Sequence, residues 1–503
     1  MNMQRYFSQG LFGRDLLGSV VVFLVALPLC MGIAIASGMP PSAGLISGIV
    51  GGLVVGFIAG SPLQVSGPAA GLAVLVFELV RTHGVLALGP VVLLAGLIQL
   101  VAGVCRVGVW FRMTSPAVVA GMLSGIGILI VASQSHVLLD AIPLAKGMEN
   151  FAALPGAVLD AFGGTGMAAL SVGLATIAIM LGWEKLRPAR LKAVPGALLA
   201  VVALTAVVQY FDIAVNTVDV PSNLASAISL PSFGSLFGLF DSALIVAAVT
   251  FAFIASAETL LSAAAVDRMH DGERTNYDRE LAAQGIGNML CGFLGALPMT
   301  GVIVRSAANV QAGSATRMAT VFHGGWILLF AALLPWLMRM TPVSCLAGIL
   351  VYTGLKMINP GQIRGLAKYG KGTAAVYVAT TVAIVATDLL TGVLVGFGLS
   401  MFRLVLLSAK LRVDLDHHDE PGHASLHLEG SATFLKVPSM ARTLERVPPN
   451  TRLKLVVDNL HHVDQACLEL LHDWGRNAAA RGCELIVDWP DLHRRVEGPR
   501  KAA

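Results

Sequence analysis

The chain has 503 residues, of which 55% are hydrophobic and only 13% charged, with a formal net charge of +4 at pH 7. Soluble domains carry roughly 25% charged residues, so the composition excludes a soluble enzyme or a nucleic-acid-binding module and points to a polytopic membrane protein. Six cysteines lie mostly in apolar runs without CxxC spacing, and no nucleophile triad, phosphate loop or metal-ligand spacing occurs, so neither an enzyme nor any cofactor or metal is expected.

The first apolar run begins near Leu16 and is too long, with no small-residue cleavage site before polar sequence, for a removable leader. At about 20 apolar residues per span, with shorter half-helices allowed, seven spans fall at 15–37, 42–60, 67–81, 85–105, 115–138, 166–182 and 193–211. Seven more fall at 242–266, 281–297, 300–313, 318–338, 342–358, 373–387 and 389–409. Fourteen spans with an inside N-terminus place Arg5, Arg14, Arg106, Arg112, Arg190, Lys192, Arg268, Arg279, Arg317 and Lys371 on one side, whereas the other side carries only Arg81, Lys146 and Arg339. That bias predicts an inner (plasma) membrane protein with both termini cytoplasmic. The sparsely charged segment from Asp212 to Asp241 separates seven spans from seven, which suits an inverted repeat.

Two stretches interrupt this pattern. Gln64-Val-Ser-Gly-Pro-Ala-Ala-Gly-Leu opens the third span, and Gly295-Ala-Leu-Pro-Met-Thr-Gly-Val-Ile-Val-Arg305-Ser-Ala-Ala-Asn309 opens the tenth. Glycine and proline there predict helices that start within the membrane and point unsatisfied N–H groups and a positive dipole end inward. Arg305 sits at membrane depth, where a charge costs on the order of 3 kcal/mol and persists only beside a counter-charge, a cavity or a substrate. Two half-helices and a cation outline an anion site between repeats. His136, Gln99, Thr250 and Asp388 read as packing or capping groups, Asp388 capping the helix after the turn between spans 13 and 14.

Charge and histidine content rise after Lys410, dividing the chain into a transmembrane domain, 1–410, and a small cytoplasmic α/β domain, 411–503. Ala424-Ser-Leu-His-Leu-Glu-Gly430 alternates like a strand, Leu453 to Asp458 and Cys483 to Asp488 read as buried strands, and Gln465 to Arg481 reads as a helix. Eight histidines cluster here, His418 and His493 among them, but no ligand spacing repeats and they read as solvated surface groups.

These residues resemble the sulfate permease (SulP) family of anion transporters over nearly the whole chain. The segments that carry the resemblance are Val25-Ala-Leu-Pro28, Pro40-Pro-Ser-Ala-Gly-Leu45, Ser66-Gly-Pro-Ala69, Glu258-Thr-Leu-Leu-Ser262 and Leu297-Pro through Arg305-Ser-Ala-Ala-Asn309. The C-terminal unit resembles the family's STAS domain, with Val457-Asp-Asn-Leu-His-His-Val-Asp464 at the usual strand, loop and aspartate. After Asp464 the chain reads Gln465-Ala466-Cys467, without the serine that related anti-sigma antagonists phosphorylate, so assembly, as in a homodimer, is the expected role.

The resemblance implies a mostly α fold in which a core domain of spans 1–4 and 8–11 moves against a gate domain of spans 5–7 and 12–14. It places the anion between the N-termini of spans 3 and 10. Ala69 and Ala70 would offer N–H groups from span 3, Gly301, Val302 and Ile303 from span 10, and Arg305, on the same helix face one turn beyond Gly301, would supply the charge. Leu29 and Ile33 would line the pocket from span 1. Leu29, Ala43 and Ile46 stand where members often carry Gln and Tyr, which makes that side of the pocket less polar.

Glu258, with Ser262 one turn away, is the expected coupling group; its alternatives are proton exchange and a static salt bridge with Arg305. The expected function is secondary active transport of a small inorganic or carboxylate anion of the sulfate, bicarbonate or dicarboxylate class. Proton symport or anion exchange by elevator-like alternating access is favoured over a channel or sodium-coupled bicarbonate transport. A membrane-anchored signalling scaffold would leave Arg305 and Glu258 unexplained.

Overall fold

A computed structural model describes residues 11–492 apart from 109–114, 145, 165, 189–193, 222–223, 232–240, 359–360, 369, 409–410, 418–421, 434–435, 459 and 491. Arg5, Arg112, Arg190, Lys192, Lys410, His418 and His493 therefore lie outside the described residues. The chain forms two compact units, Met1–Phe397 and Gly398–Ala503.

The first unit is helical, and each of the fourteen predicted segments contains a helix. In the first half these are α1 (Leu11–Ala36), α2 (Pro41–Val50), β1 (Ser66–Pro68) leading into α3 (Ala70–His83), α4 (Leu88–Val104), α5 (Pro116–Leu138), α6 (Gly147–Ala161), α7 (Gly166–Leu186) and α8 (Gly196–Tyr210). A π-helical turn, Gly51–Val55, continues α2 and is followed by a last α-helical turn, Gly56–Ile58. In the second half they are α9 (Ser242–Val266), α10 (Tyr277–Phe293), β2 (Met299–Gly301) leading into α11 (Ile303–Gln311), α12 (Met318–Leu333), α13 (Val343–Met357), α14 (Gly361–Ala367), α15 (Lys371–Ala386) and α16 (Leu389–Ser408). Among the described residues eight helical stretches are long and apolar enough to cross a membrane, and α8, α12 and α15 are shorter apolar helices. This is a multi-pass membrane protein.

Helix α6 and the short α14 were not foreseen. The segment between α5 and α7 is polar enough to read as a loop, but its Asn150 side chain ties the helix down by bonding the N–H and C=O of Leu144 and the C=O of Lys146.

Packing divides the first unit into two groups of helices. α1, α2, α3, α4, α9, α10, α11 and α12 pack largely on one another, while α5, α7, α8, α13 and α15 form the second group. The α4–α10 contact shows why glycine is needed: a Cβ on Gly96 would fall 2.5 Å from the Met289 nitrogen, and one on Gly285 would fall 2.4 Å from that of Leu100. Small residues let backbones approach where no hydrophobic effect drives helices together in lipid.

The second unit, taken by itself, holds a mixed sheet of β3 (Leu411–His417), β4 (His423–Ala432), β5 (Arg452–Val456), β6 (Leu460–Val463) and β7 (Glu484–Ile486). β3 and β4 are antiparallel, and β4–β5, β4–β6 and β5–β7 are parallel. Helices α17 (Val437–Glu445) and α18 (Gln465–Ala478) complete it. Leu426, Leu428, Leu453, Val463, Cys467 and Leu471 pack in its core, so the alternation around Leu426 places its apolar face inward, as expected of a half-buried strand.

A candidate anion site at two half-helices

Residues far apart in sequence meet at two three-residue strands. β1 and β2 pair antiparallel, with Ser66 opposite Gly301, Gly67 opposite Thr300 and Pro68 opposite Met299. Each strand runs directly into a half-helix, α3 with Ala69 at its N-cap and α11 with Val302 at its N-cap, and neither N-cap side chain bonds the first turn. Gly295 makes the approach possible. Its φ of +68° ends α10 in the left-handed region, and a Cβ there would fall 2.6 Å from the Ser229 oxygen.

Buried side chains fix the strands in place. Asn288 accepts from the Met299 N–H at 2.7 Å and donates to Gln99 Oε1 at 2.7 Å, while Gln99 donates to Ser256. Gln64 donates to the Thr259 carbonyl at 3.0 Å, Ser306 accepts from the Val65 N–H at 2.9 Å, and Asn309 donates to the Leu63 carbonyl at 3.0 Å. These bonds replace water for backbone that runs irregularly at membrane depth. Gln99 and Thr250 pack helices as expected, Thr250 bonding the Val246 carbonyl. His136 bonds the Asn150 carbonyl, and Asp388 caps α16 by accepting from the Thr391 N–H at 2.8 Å.

The sequence expectation for the N–H donors is partly corrected. The Gly301 N–H donates to Thr259 Oγ1 at 3.1 Å and the Val302 N–H donates to the Val65 carbonyl at 2.9 Å, so both serve the strand crossing. Gly301 is a strand residue, not the first turn of the helix that carries Arg305. No backbone acceptor among the described residues takes the N–H groups of Ala69, Ala70 and Ile303, and these remain the available donors at the two helix starts.

Arg305, in the first turn of α11, is fully buried. Its Nη2 reaches the Pro68 carbonyl only at 3.5 Å, and Nε and Nη1 have no hydrogen-bond partner among the described residues. Gly67 admits it: a Cβ there would lie 2.2 Å from Nη1. The Cys30 thiol lies beside the guanidinium, and the His323 ring is within its electrostatic reach; both are fully buried.

Glu258 does not pair with Arg305. No ion pair joins them among the described residues, which removes the static salt bridge. The Glu258 carboxyl lies against the first turn of α3, where a Cβ on Gly71 would come 3.0 Å from Oε2. Thr300 lies beside it without a hydrogen bond of regular geometry, and Oε2 has no partner among the described residues. Ser262, one turn along α9, is buried. Leu29 and Ile33 are buried one turn apart on α1, which packs against α3.

Sequence reading missed Cys30, Gln64, Thr300, Asn309 and His323. His323 carried the clearest signal, an imidazole within the predicted span 318–338, since ionisable groups inside membrane spans are rarely incidental.

The fold that carries this site is shared with known proteins. The sequence pattern described as the Sulfate permease family matches residues 12–380. The chain belongs to the sulfate permease family. The putative sulfate transporter YvdB of Bacillus subtilis is 27% identical over 478 residues, covering 92% of this chain and 88% of that protein. The bicarbonate transporter BicA of Synechocystis is 27% identical over 395 residues, covering 76% and 68%. Among solved structures, the transmembrane domain of a cyanobacterial bicarbonate transporter BicA superposes with a TM-score of 0.66 at 24% identity, covering 78% of this chain and 98% of that one. The murine Slc26a9 anion transporter in an inward-facing state gives 0.77 at 15% identity, covering 96% and 87%. These likenesses establish the fold, and the family's named relatives are transporters rather than enzymes.

Proposed function

We propose that this protein is a secondary active transporter of a small anion, held between the starts of α3 and α11 with Arg305 as its counter-charge. The observation that carries the reading is the fully buried Arg305, with two unpartnered nitrogens, in the first turn of a half-helix that has no side-chain cap. Guanidinium and open helix starts both favour an anion, and relatives named as sulfate and bicarbonate transporters support that class.

The proposal includes fourteen spans in a seven-plus-seven inverted repeat, with both termini on the cytoplasmic side of the cell's inner membrane. The α1–α4 and α9–α12 group moves as a core against the remaining helices, in an elevator-like cycle. The C-terminal unit is a STAS domain that serves assembly, as in a homodimer. Glu258 carries the coupled proton: its carboxyl faces the start of α3, so protonation removes a negative charge that competes with the anion for that helix end.

Uptake into liposomes tests the reading. Arg305→Ala abolishes uptake in correctly inserted protein, and uptake at the parent rate discards the site. Glu258→Gln keeps exchange at equal pH but loses accumulation driven by a pH gradient, and accumulation on a pH gradient alone discards the coupling role.

A further inference from the structure

A second buried ionisable group lies within electrostatic reach of the arginine. His323, on α12, is fully buried and neither ring nitrogen has a hydrogen-bond partner among the described residues, in contrast to buried His136, whose Nε2 bonds the Asn150 carbonyl at 3.0 Å. Close backbone packing holds His323 there. Its neighbour Gly324 places Cα 2.4 Å from where a Cβ on Gly52 would lie. One turn later, Ile327 comes 3.1 Å from the Cβ position of Gly48, whose other neighbour is Cys30 Sγ at 2.9 Å. The His323 turn thus faces the glycines of α2 and the π turn, with Cys30 beside the next turn at Ile327 and the Arg305 guanidinium within electrostatic reach. Asn309 Oδ1, one turn beyond Arg305, and Gln64 Oε1, against Gly301, are likewise buried without partners.

No hydrogen-bond partner among the described residues holds either ring nitrogen, and a buried imidazole near a guanidinium stays neutral unless a negative charge accompanies the proton. The elements packed on α12 contribute few other charges. Asp15 of α1 is engaged with the N–H groups of Ala315 and Thr316, and Arg14 with the Gly313 carbonyl. Arg317, which precedes α12, bonds the Phe57 and Ala59 carbonyls, and Arg339, beyond its other end, bonds the Val220 carbonyl. The described residues of α2, the π turn and Gly56–Ile58 bear no charge. Arg305 and Cys30 are therefore the ionisable neighbours that matter. A second positive charge beside a buried guanidinium is tolerable only when a second negative charge arrives with it.

We propose that His323 sets the charge class of the transported anion: it takes up one proton from water together with a doubly charged oxyanion or dicarboxylate, and releases that proton when the anion leaves. With a singly charged anion it stays neutral, and Arg305 alone matches the charge. The inference rests on the anion site proposed above and adds to it a preference for dianions that rises as pH falls.

The test measures affinity of the purified full chain for sulfate and fumarate, both dianions near neutrality, and for nitrate and formate, by thermal stabilisation between pH 6 and 8. The expected result is a dianion affinity that rises with falling pH more steeply than the monoanion affinity, by up to about tenfold per unit, the limit for one extra proton bound with the ligand; linkage through Glu258 is common to both classes. His323→Gln and His323→Asn remove the difference between the two slopes and lower the sulfate-to-nitrate affinity ratio about tenfold at pH 6, while Glu258→Gln lowers both slopes and keeps their difference. In weakly buffered solution the parent protein takes up close to one proton more per sulfate bound than per nitrate bound, a measurement that needs no variant. Equal slopes for the two classes in the parent protein, binding of monoanions alone, or a difference that survives His323→Gln and disappears in Glu258→Gln each overturns the proposal. Arg305→Met keeps the two readings distinguishable. If it abolishes binding while His323→Gln leaves the difference intact, only the role of His323 falls. If it leaves all four affinities unchanged, the anion site falls and this proposal with it.

Discussion

Replacing Arg305 with methionine separates what the residue costs the fold from what it gives the site. The side chain is 0% exposed, Nε and Nη1 are unpartnered, and the single contact of Nη2 is 3.5 Å long. An unsatisfied buried donor costs about 1–3 kcal/mol, so two cost roughly 2–6 kcal/mol. Methionine occupies much of the same channel without a polar atom, and its shorter reach forfeits about 1 kcal/mol of packing. Ligand-free Arg305→Met is therefore expected to be about 1–5 kcal/mol more stable than the parent, overlapping the roughly 1–4 kcal/mol seen when buried ion pairs give way to apolar groups. The same change removes stabilisation by ligand, about 2.7 kcal/mol when the anion is present at 100 times its Kd. Unfolding of both proteins in detergent, with and without anion, reads both effects. A loss of about 3 kcal/mol or more is the signature of half a broken buried ion pair; it would show that Arg305 has a structural counter-charge and refute its treatment as unpaired.

Three further outcomes follow from particular contacts. Gly67→Ala puts a methyl where only 2.2 Å separates it from Nη1, so anion affinity should drop about tenfold, equivalent to ~1.4 kcal/mol, and parent-like affinity in folded protein would show that the guanidinium need not lie there. A chain ending near Arg412 should still be stabilised by anion, because every proposed site residue precedes it; complete loss of binding in monodisperse truncated protein would place part of the site in the C-terminal unit. Burial, reinforced by the Asp464 carboxylate, pushes the Cys467 thiol up to about 12, which leaves only about one part in ten thousand as thiolate at pH 8. Maleimide at that pH should label exposed Cys105 and spare Cys467, and equal labelling of both in folded protein would contradict the packing around Cys467.

Hydropathy made the long helices legible because lipid imposes one rule on all of them, an apolar run of sufficient length. It missed α6, whose Glu149, Asn150 and Asp160 break the run although the helix forms. It also gave no sign of the π turn at Gly51–Val55, a hydrogen-bonding register that glycine spacing does not encode. Gly, Pro and a lone arginine marked the half-helices. Their strands were not legible: three residues long, one containing Pro68 and the other opening at Met299, they are visible only when the two halves of the chain are brought together. The distance in sequence between Val65 and Val302 likewise hid the fate of the Val302 N–H, which the strand crossing consumes.

The separation of Glu258 from Arg305 was hidden for the same reason, since depth in a membrane can be read from a hydropathy pattern but position around a helix bundle cannot. That separation makes the two half-helices unequal. At the start of α3 the Glu258 carboxyl lies beside Gly71, where a negative charge complements the helix dipole. At the start of α11, Arg305 adds a positive charge to an end that is already positive and has no side-chain cap, so this end is the less satisfied of the two without an anion. On the proposed function, an ionised Glu258 occupies the electrostatic role of the anion at α3 and leaves the incoming anion to α11, while a protonated Glu258 frees both ends. Occupancy by anion and proton would then be linked without contact between the two side chains, through their competition for the same pair of helix starts.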